Sequence, residues 1–192
     1  MINLITKSVT ILFFIFGFSC ATFKANILPL IEKDEYLSNK KEKVKVFSRW
    51  KFESPPGIDP VSFTAIQKTW FERAIIESGC CDIVEGPKEA QLVIDGLGFD
   101  HTSPWLVLPR LFNASSLTVI PFWQTVTLDI KVTATKGSKI KDYELKDSVT
   151  MVSWLPMIFV FPFTGGPGKN KEELVLNTYQ TLVVRLKKDG YL

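Results

Sequence analysis

Cys80 and Cys81 are neighbours, and His101 is the single histidine of the chain. Thiols and imidazole can bind metals, form disulfides or pass protons, so these residues bound the chemistry on offer. Adjacent cysteines hold their Cα atoms about 3.8 Å apart, below the usual disulfide range. Their expected role is therefore core filling at a helix-to-strand junction, with an intermolecular bridge in an oxidising compartment as the alternative. One histidine makes no zinc set. His101 stands in Phe99-Asp100-His101-Thr102-Ser103 with no convergent nucleophile and base, and reads as a surface residue. Residues 164–171, TGGPGKNK, have the glycines of a phosphate loop but neither its GKS/T ending nor its strand-to-helix context, and read as a linker. The chain is expected not to be an enzyme and to need no metal or cofactor.

Composition narrows the partners. The 192 residues carry 23 Lys and Arg against 20 Asp and Glu, a net charge of +3. That balance is too mild for a nucleic-acid binder. Only Arg49, Arg73, Arg110 and Arg185 supply the guanidinium forks that phosphate recognition favours.

The third cysteine, Cys20, lies in a different setting. Met1–Ala21 has one cation (Lys7), an apolar run from Val9 to Phe18, and small residues at Ser19, Cys20 and Ala21. This is the order of an export signal. The run is about half the roughly 20 residues that span a bilayer, although a membrane anchor is the competing reading. Gly17-Phe18-Ser19-Cys20 resembles the lipobox of bacterial lipoproteins, and with its Phe-rich run it is most similar to that of spirochaete lipoproteins. Ser19 fits the position before the cysteine, whereas Gly17 and Phe18 depart from the usual pattern. The resemblance implies that Cys20 is diacylated and becomes the mature N-terminus. Two alternatives stand: cleavage after Ala21, which Ser19 and Ala21 also suit, and Cys20 as a plain apolar residue of the signal. Asn113-Ala114-Ser115 matches the glycosylation triplet, which means little in a bacterial chain.

Residues 1–19 thus read as a signal, 20–43 as a lipidated cysteine and tether, and 44–192 as one domain. In that domain Val44–Phe52 alternates like a half-buried strand. Asp59-Pro60 is a helix start. Phe63, Ile66, Trp70, Phe71 and Ala74 mark one face of that helix as far as Ser78-Gly79. Strands are expected at 81–85 and 91–99, then a hairpin of 125–135 and 140–152 turning at Lys136–Lys139. A last helix over 171–188 puts Val175, Tyr179, Leu182, Val183 and Leu186 on one face, with Glu172 and Glu173 in its first turn and cations in its last. The expected fold is an α+β two-layer sandwich: a mostly antiparallel sheet of about five strands with two amphipathic helices on one face.

Three Trp/Pro-rich clusters lie between these elements: PWLVLPRLF (104–112), VIPFW (119–123) and WLPMIFVFPF (154–163). Chain direction brings all three to one end of the sheet. Pro156 and Pro162 exclude a regular helix in the third. The clusters are expected to close on one another as a satellite core. The competing reading is an exposed membrane or protein contact through Trp105, Leu106, Phe122, Trp123, Trp154, Leu155, Phe159 and Phe161.

The whole layout is similar in outline to small periplasmic lipoproteins of the lipopolysaccharide-assembly and penicillin-binding-protein-activator kinds. The outline does not transfer function; the expected role is that of a non-enzymatic lipoprotein held by its N-terminal lipid, binding a protein or lipid partner in the periplasm or outer membrane through its apolar end. Display at the cell surface for an external ligand, and a secreted soluble domain, are the alternatives.

Overall fold

The computed structural model describes residues 20–24, 27–38, 42–53, 59–101, 103–164 and 167–192, so the signal reading of 1–19 lies outside the described residues. The fold is α+β around one mixed sheet. In chain order the elements are β1 (Cys20–Lys24), α1 (Lys33–Tyr36), β2 (Val44–Phe52), α2 (Pro60–Glu77), β3 (Cys81–Ile83) and β4 (Leu92–Asp100). Then follow α3 (Val107–Ser115), β5 (Phe122–Lys136), β6 (Lys139–Ser153), α4 (Phe161–Thr164) and α5 (Pro167–Lys188). Two short 3-10 helices, Pro104–Leu106 and Leu155–Phe159, lie between them.

The sheet has six strands in the order β1-β6-β5-β4-β2-β3, against about five expected. It is also less antiparallel than its sequence suggests: β2 runs parallel to both β3 and β4. The reason lies at the start of β2. Val46 faces Ile83 on one side and Leu92 on the other. The eight residues joining β3 to β4 therefore step across β2, a span of about 10 Å at normal strand spacing. So short a connection reads as a hairpin, and only the register reveals the crossing.

The chain forms two compact units. The first, here the core unit, comprises the described residues of Asn26–His101, Thr127–Asp147 and Glu173–Leu192. Helix α2 starts as expected, with the Asp59 carboxylate accepting from the Ser62 N–H at 2.7 Å and Pro60 in the first turn. That N–H bond holds the Asp59 carboxyl below the usual carboxylate range. Its buried face is Gln67, Phe71, Ala74 and Ile75, while Ile66, assigned inward by spacing, is exposed. Gln67 takes an inward position beside it, its Oε1 accepting from the buried Tyr179 hydroxyl. Helix α5 buries all five expected residues, Val175, Tyr179, Leu182, Val183 and Leu186. It starts at Pro167, so Glu172 and Glu173 fall after its first turn rather than within it.

Both helices meet β2 through one aromatic cluster. The Trp50 ring lies 5.0 Å from Phe71 of α2 and 5.5 Å from Tyr179 of α5. Gly96 and Gly98 of β4 are the register partners of Trp50 and Phe52. A Cβ on either glycine would fall inside the facing ring. The two glycines, which read only as the end of a strand, are what lets the aromatic layer lie flat on β4. The opposite face of the sheet is wet, with Arg49 paired to Asp95 at 2.6 Å and Lys131 to Glu144 at 3.4 Å.

Residues 27–38, read as part of a tether, pack on the core unit. The Asp147 carboxylate accepts from the Ile27 N–H at 2.9 Å, and Asn177 accepts from the Ile31 N–H and donates to the Pro29 carbonyl. Tyr36 is buried and its hydroxyl donates to the Ala74 carbonyl. Two side chains from distant elements, Asp147 of β6 and Asn177 of α5, and the segment's own Tyr36 hold it in place, and no local periodicity announces them. Cys80 and Cys81 are both buried at the α2–β3 junction, as core filling requires, but they are also joined as a disulfide, contrary to expectation.

The second, here the loop unit, comprises the described residues of Met1–Ala25, Thr102–Val126 and Ser148–Glu172. Its sheet portion is the distal end of the β5–β6 hairpin plus β1, which pairs antiparallel with β6. Strand β1 stands where the sequence pattern predicts the start of a tether. Five residues give too short a pattern, and burial of Ala21 and Thr22 comes from the partner strand rather than from their own composition.

Candidate functional site

The loop unit brings together all three Trp/Pro-rich clusters, as chain direction requires. Asn113, near the end of α3, is the joint. Its Nδ2 donates to the Ile120 carbonyl at 2.6 Å and to the Ser153 carbonyl at 2.9 Å, and its Oδ1 accepts from the Ser153 hydroxyl at 2.9 Å. One buried amide thus ties the helix of the first cluster to the second cluster and to the strand end that leads into the third. The Leu155 N–H donates to the Thr118 carbonyl at 2.9 Å, a second link between the same segments. Leu117 and Thr118, in the turn between the first two clusters, both have positive φ, 53° and 64°. Non-glycine residues adopt that region at a cost of about 1–3 kcal/mol, and Asn113 and Leu155 offset part of it. In sequence Asn113 stands out only as the first residue of a glycosylation triplet. The one available signal was a lone amide inside a stretch otherwise apolar or hydroxylic.

Prolines shape the local backbone. The 3-10 helix Leu155–Phe159 has Pro156 in its first turn, and Pro162 is the second residue of α4. Both sit where a helix has no use for an N–H. The third cluster is therefore a 3-10 turn followed by a four-residue α-helix, where the prolines were expected to exclude a regular helix. The first cluster, read as irregular, contains the first six residues of the nine-residue helix α3. Pro109 at its third position leaves the helix intact for the same reason.

The clusters do not close on one another. Trp105 is 80% exposed, Trp123 65%, Phe159 79% and Phe163 88%, and Trp154 stands at 39%. Val107, Leu108, Leu111, Phe112, Val119 and Ile120 add to the open apolar surface. Of the remaining residues singled out by sequence, Leu106 and Leu155 are half-buried, Phe122 is buried, and the Phe161 side chain lies outside the described residues. The satellite-core expectation fails here because two elements of one short turn and one short helix, α3 and Leu155–Phe159, cannot cover both sides of one another. What remains is an open apolar surface.

Cys20 belongs to the same unit. It is the first residue of β1 and the register partner of Ser153, whose carbonyl and hydroxyl Asn113 holds. Half-burial pushes its thiol above the ordinary range. Across β6, the Thr125 and Thr150 hydroxyls meet at 3.0 Å, and Thr133 pairs with Asp142 at the same hairpin register. That register sets Phe122 opposite Ser153, so Cys20, Ser153 and Phe122 form one row across three strands.

The core unit offers less. The His101 ring lies 3.0 Å from the Asp129 carboxylate, on the exposed surface. An open groove on the wet sheet face is lined by Asp95, Lys131, Thr133, Asp142 and Glu144. Their charges are already engaged with neighbours across the strands. Among the described residues no three His, Cys, Asp or Glu groups converge as a metal site, and no helix is long and apolar enough to cross a membrane.

No protein-family model matches the chain, and no curated protein matches it by sequence. Solved structures give remote likenesses. A PelC dodecamer from Paraburkholderia phytofirmans matches at 8% identity over 86% of this chain and 98% of that one, with a TM-score of 0.38. The hypothetical protein CT253 from Chlamydia trachomatis matches at 12% identity over 78% and 98%, with a TM-score of 0.39. Protein XCC0632 from Xanthomonas campestris matches at 7% identity over 79% and 90%, with a TM-score of 0.35. Likenesses this remote carry no inference to function.

Proposed function

We propose that this chain is a non-enzymatic lipoprotein of a bacterial envelope, held on the outer membrane by acyl chains on Cys20 and meeting its partner through the open apolar end of the loop unit. One observation carries the reading. The cysteine that ends the export-signal pattern opens a strand in the very unit that exposes Trp105, Trp123, Trp154 and Phe159. A contiguous exposed apolar surface on a small domain marks a membrane or protein contact. The core unit, whose two long helices cover one face of the sheet in the manner of a two-layer sandwich, serves as its scaffold.

Acylation at Cys20 makes the attachment durable, because each buried CH₂ contributes about 0.8 kcal/mol and two or three chains act together. The test is fractionation of cells expressing the protein and its Cys20→Ser variant. The lipoprotein should sediment with membranes and the variant should move to the soluble fraction. Unchanged partitioning would sink acylation.

A further inference from the structure

We infer that the partner of the apolar end is the lipid leaflet itself: the loop unit seats its tryptophans in the head-group layer of the same leaflet that holds the Cys20 acyl chains. This rests on the reading of Cys20 as the anchored residue, and two observations carry it further.

The first is distance. Cys20 faces Ser153 across an antiparallel pair, a Cα separation of about 4.5–5.5 Å. Trp154 is the next residue, about 3.8 Å further along the chain. A diacylated cysteine has its backbone at the membrane surface, and the polar layer on each side of a bilayer is about 5–8 Å deep. Because β1 begins at Cys20 itself, no free linker separates the anchor from the folded unit. Trp154 is thereby confined to within about 10 Å of the anchor point, at head-group depth. A protein partner bound at this patch would have to be bound inside the membrane interface.

The second is charge. Residues 102–126 and 148–168 form 46 positions of the sequence with one charged residue, Arg110, and no acidic one. Nineteen of the 20 acidic residues, all but Glu172, belong to the core unit. Protein–protein contacts ring an apolar centre with polar and charged groups of both signs. The same unit also holds Lys24, Lys169 and Lys171 against the one acidic Glu172, and a surface of Trp, Phe, Leu and Pro flanked by cations suits an anionic or zwitterionic lipid interface, where amphipathic rings settle at head-group level.

The test uses the full chain in its lipidated form, reconstituted in vesicles of phosphatidylethanolamine and phosphatidylglycerol, with and without bromine on the acyl chains. Bromine quenches only tryptophans that reach the leaflet. The protein should float with the vesicles and lose part of its tryptophan emission in the brominated ones. A Trp105→Phe/Trp123→Phe/Trp154→Phe variant should float equally and show no such loss, since Trp50 and Trp70 remain. Flotation without quenching overturns leaflet seating and leaves the lipid anchor standing. Failure to float overturns both. Quenching of a Cys20→Ser chain that still floats would remove the anchor and uphold the seating. Loss of quenching only when a co-purified protein is stripped away would overturn it in favour of a protein partner.

Discussion

Cys20 and Ser153 are paired residues of antiparallel strands, and Ser153 is clamped through both its carbonyl and its hydroxyl by Asn113. Cys20, the residue proposed for acylation, and the organising amide of the apolar end are thus both neighbours of Ser153.

Asn113 is therefore the residue to remove. Asn113→Ala leaves the Ile120 and Ser153 carbonyls and the Ser153 hydroxyl without their partner, a cost of about 1–3 kcal/mol for buried groups. Hydrogen exchange should speed up at the Thr118 and Leu155 amides while helix α5 stays protected. Asn113→Asp should be no better, because a carboxylate cannot donate to two carbonyls. Unchanged protection at Thr118 and Leu155 would contradict the clamp.

Gly96 tests the aromatic layer of the core unit. Gly96→Ala drives a methyl into the Trp50 ring, which Phe71 and Tyr179 hold from the other sides. Overpacking of this kind costs about 1–3 kcal/mol, read as a lower urea midpoint. Trp50→Leu in the same chain should recover part of the loss, giving a coupling energy between the sites. Strict additivity would mean that the two do not meet.

Acid should loosen the join between the hairpin turn and the end of α5. Asp189 takes hydrogen bonds from Lys141 at 2.8 Å and from the Tyr143 hydroxyl at 2.7 Å. The Lys141 bond first, then that of Tyr143, holds its carboxyl below the usual range. The folded pKa is the lower one, so the unfolded chain takes the proton first. The contribution is complete above about pH 4, the ordinary carboxylate value, and disappears as pH falls through the folded value. Urea midpoints measured downward from pH 5 should fall less steeply for Asp189→Asn than for the native chain. Equal slopes would remove Asp189 from the acid response.

Much of this was readable in the residues. The hairpin announces itself because Leu128, Ile130, Val132 and Ala134 alternate strictly and are all buried. Asp59-Pro60 and Gly79 mark the ends of α2 by local chemistry alone, and the inward face of α5 follows from spacing. What escaped depends on contacts far along the chain. Strand β1 is defined by β6, some 130 positions later, and the 27–38 segment by Asp147 and Asn177. The parallel pairing of β2 follows from a register that eight connecting residues do not encode. At the apolar end, chain direction was enough to gather the three clusters. Their openness was not legible, since an apolar sequence looks the same whether it covers itself or a membrane.

The most direct measurement is mass spectrometry of the mature N-terminal peptide purified from membranes. A lipoprotein anchored as proposed begins at Cys20 and carries the added mass of a diacylglyceryl group. A peptide beginning at Thr22, or an unmodified Cys20 inside an uncleaved segment, would contradict the anchor.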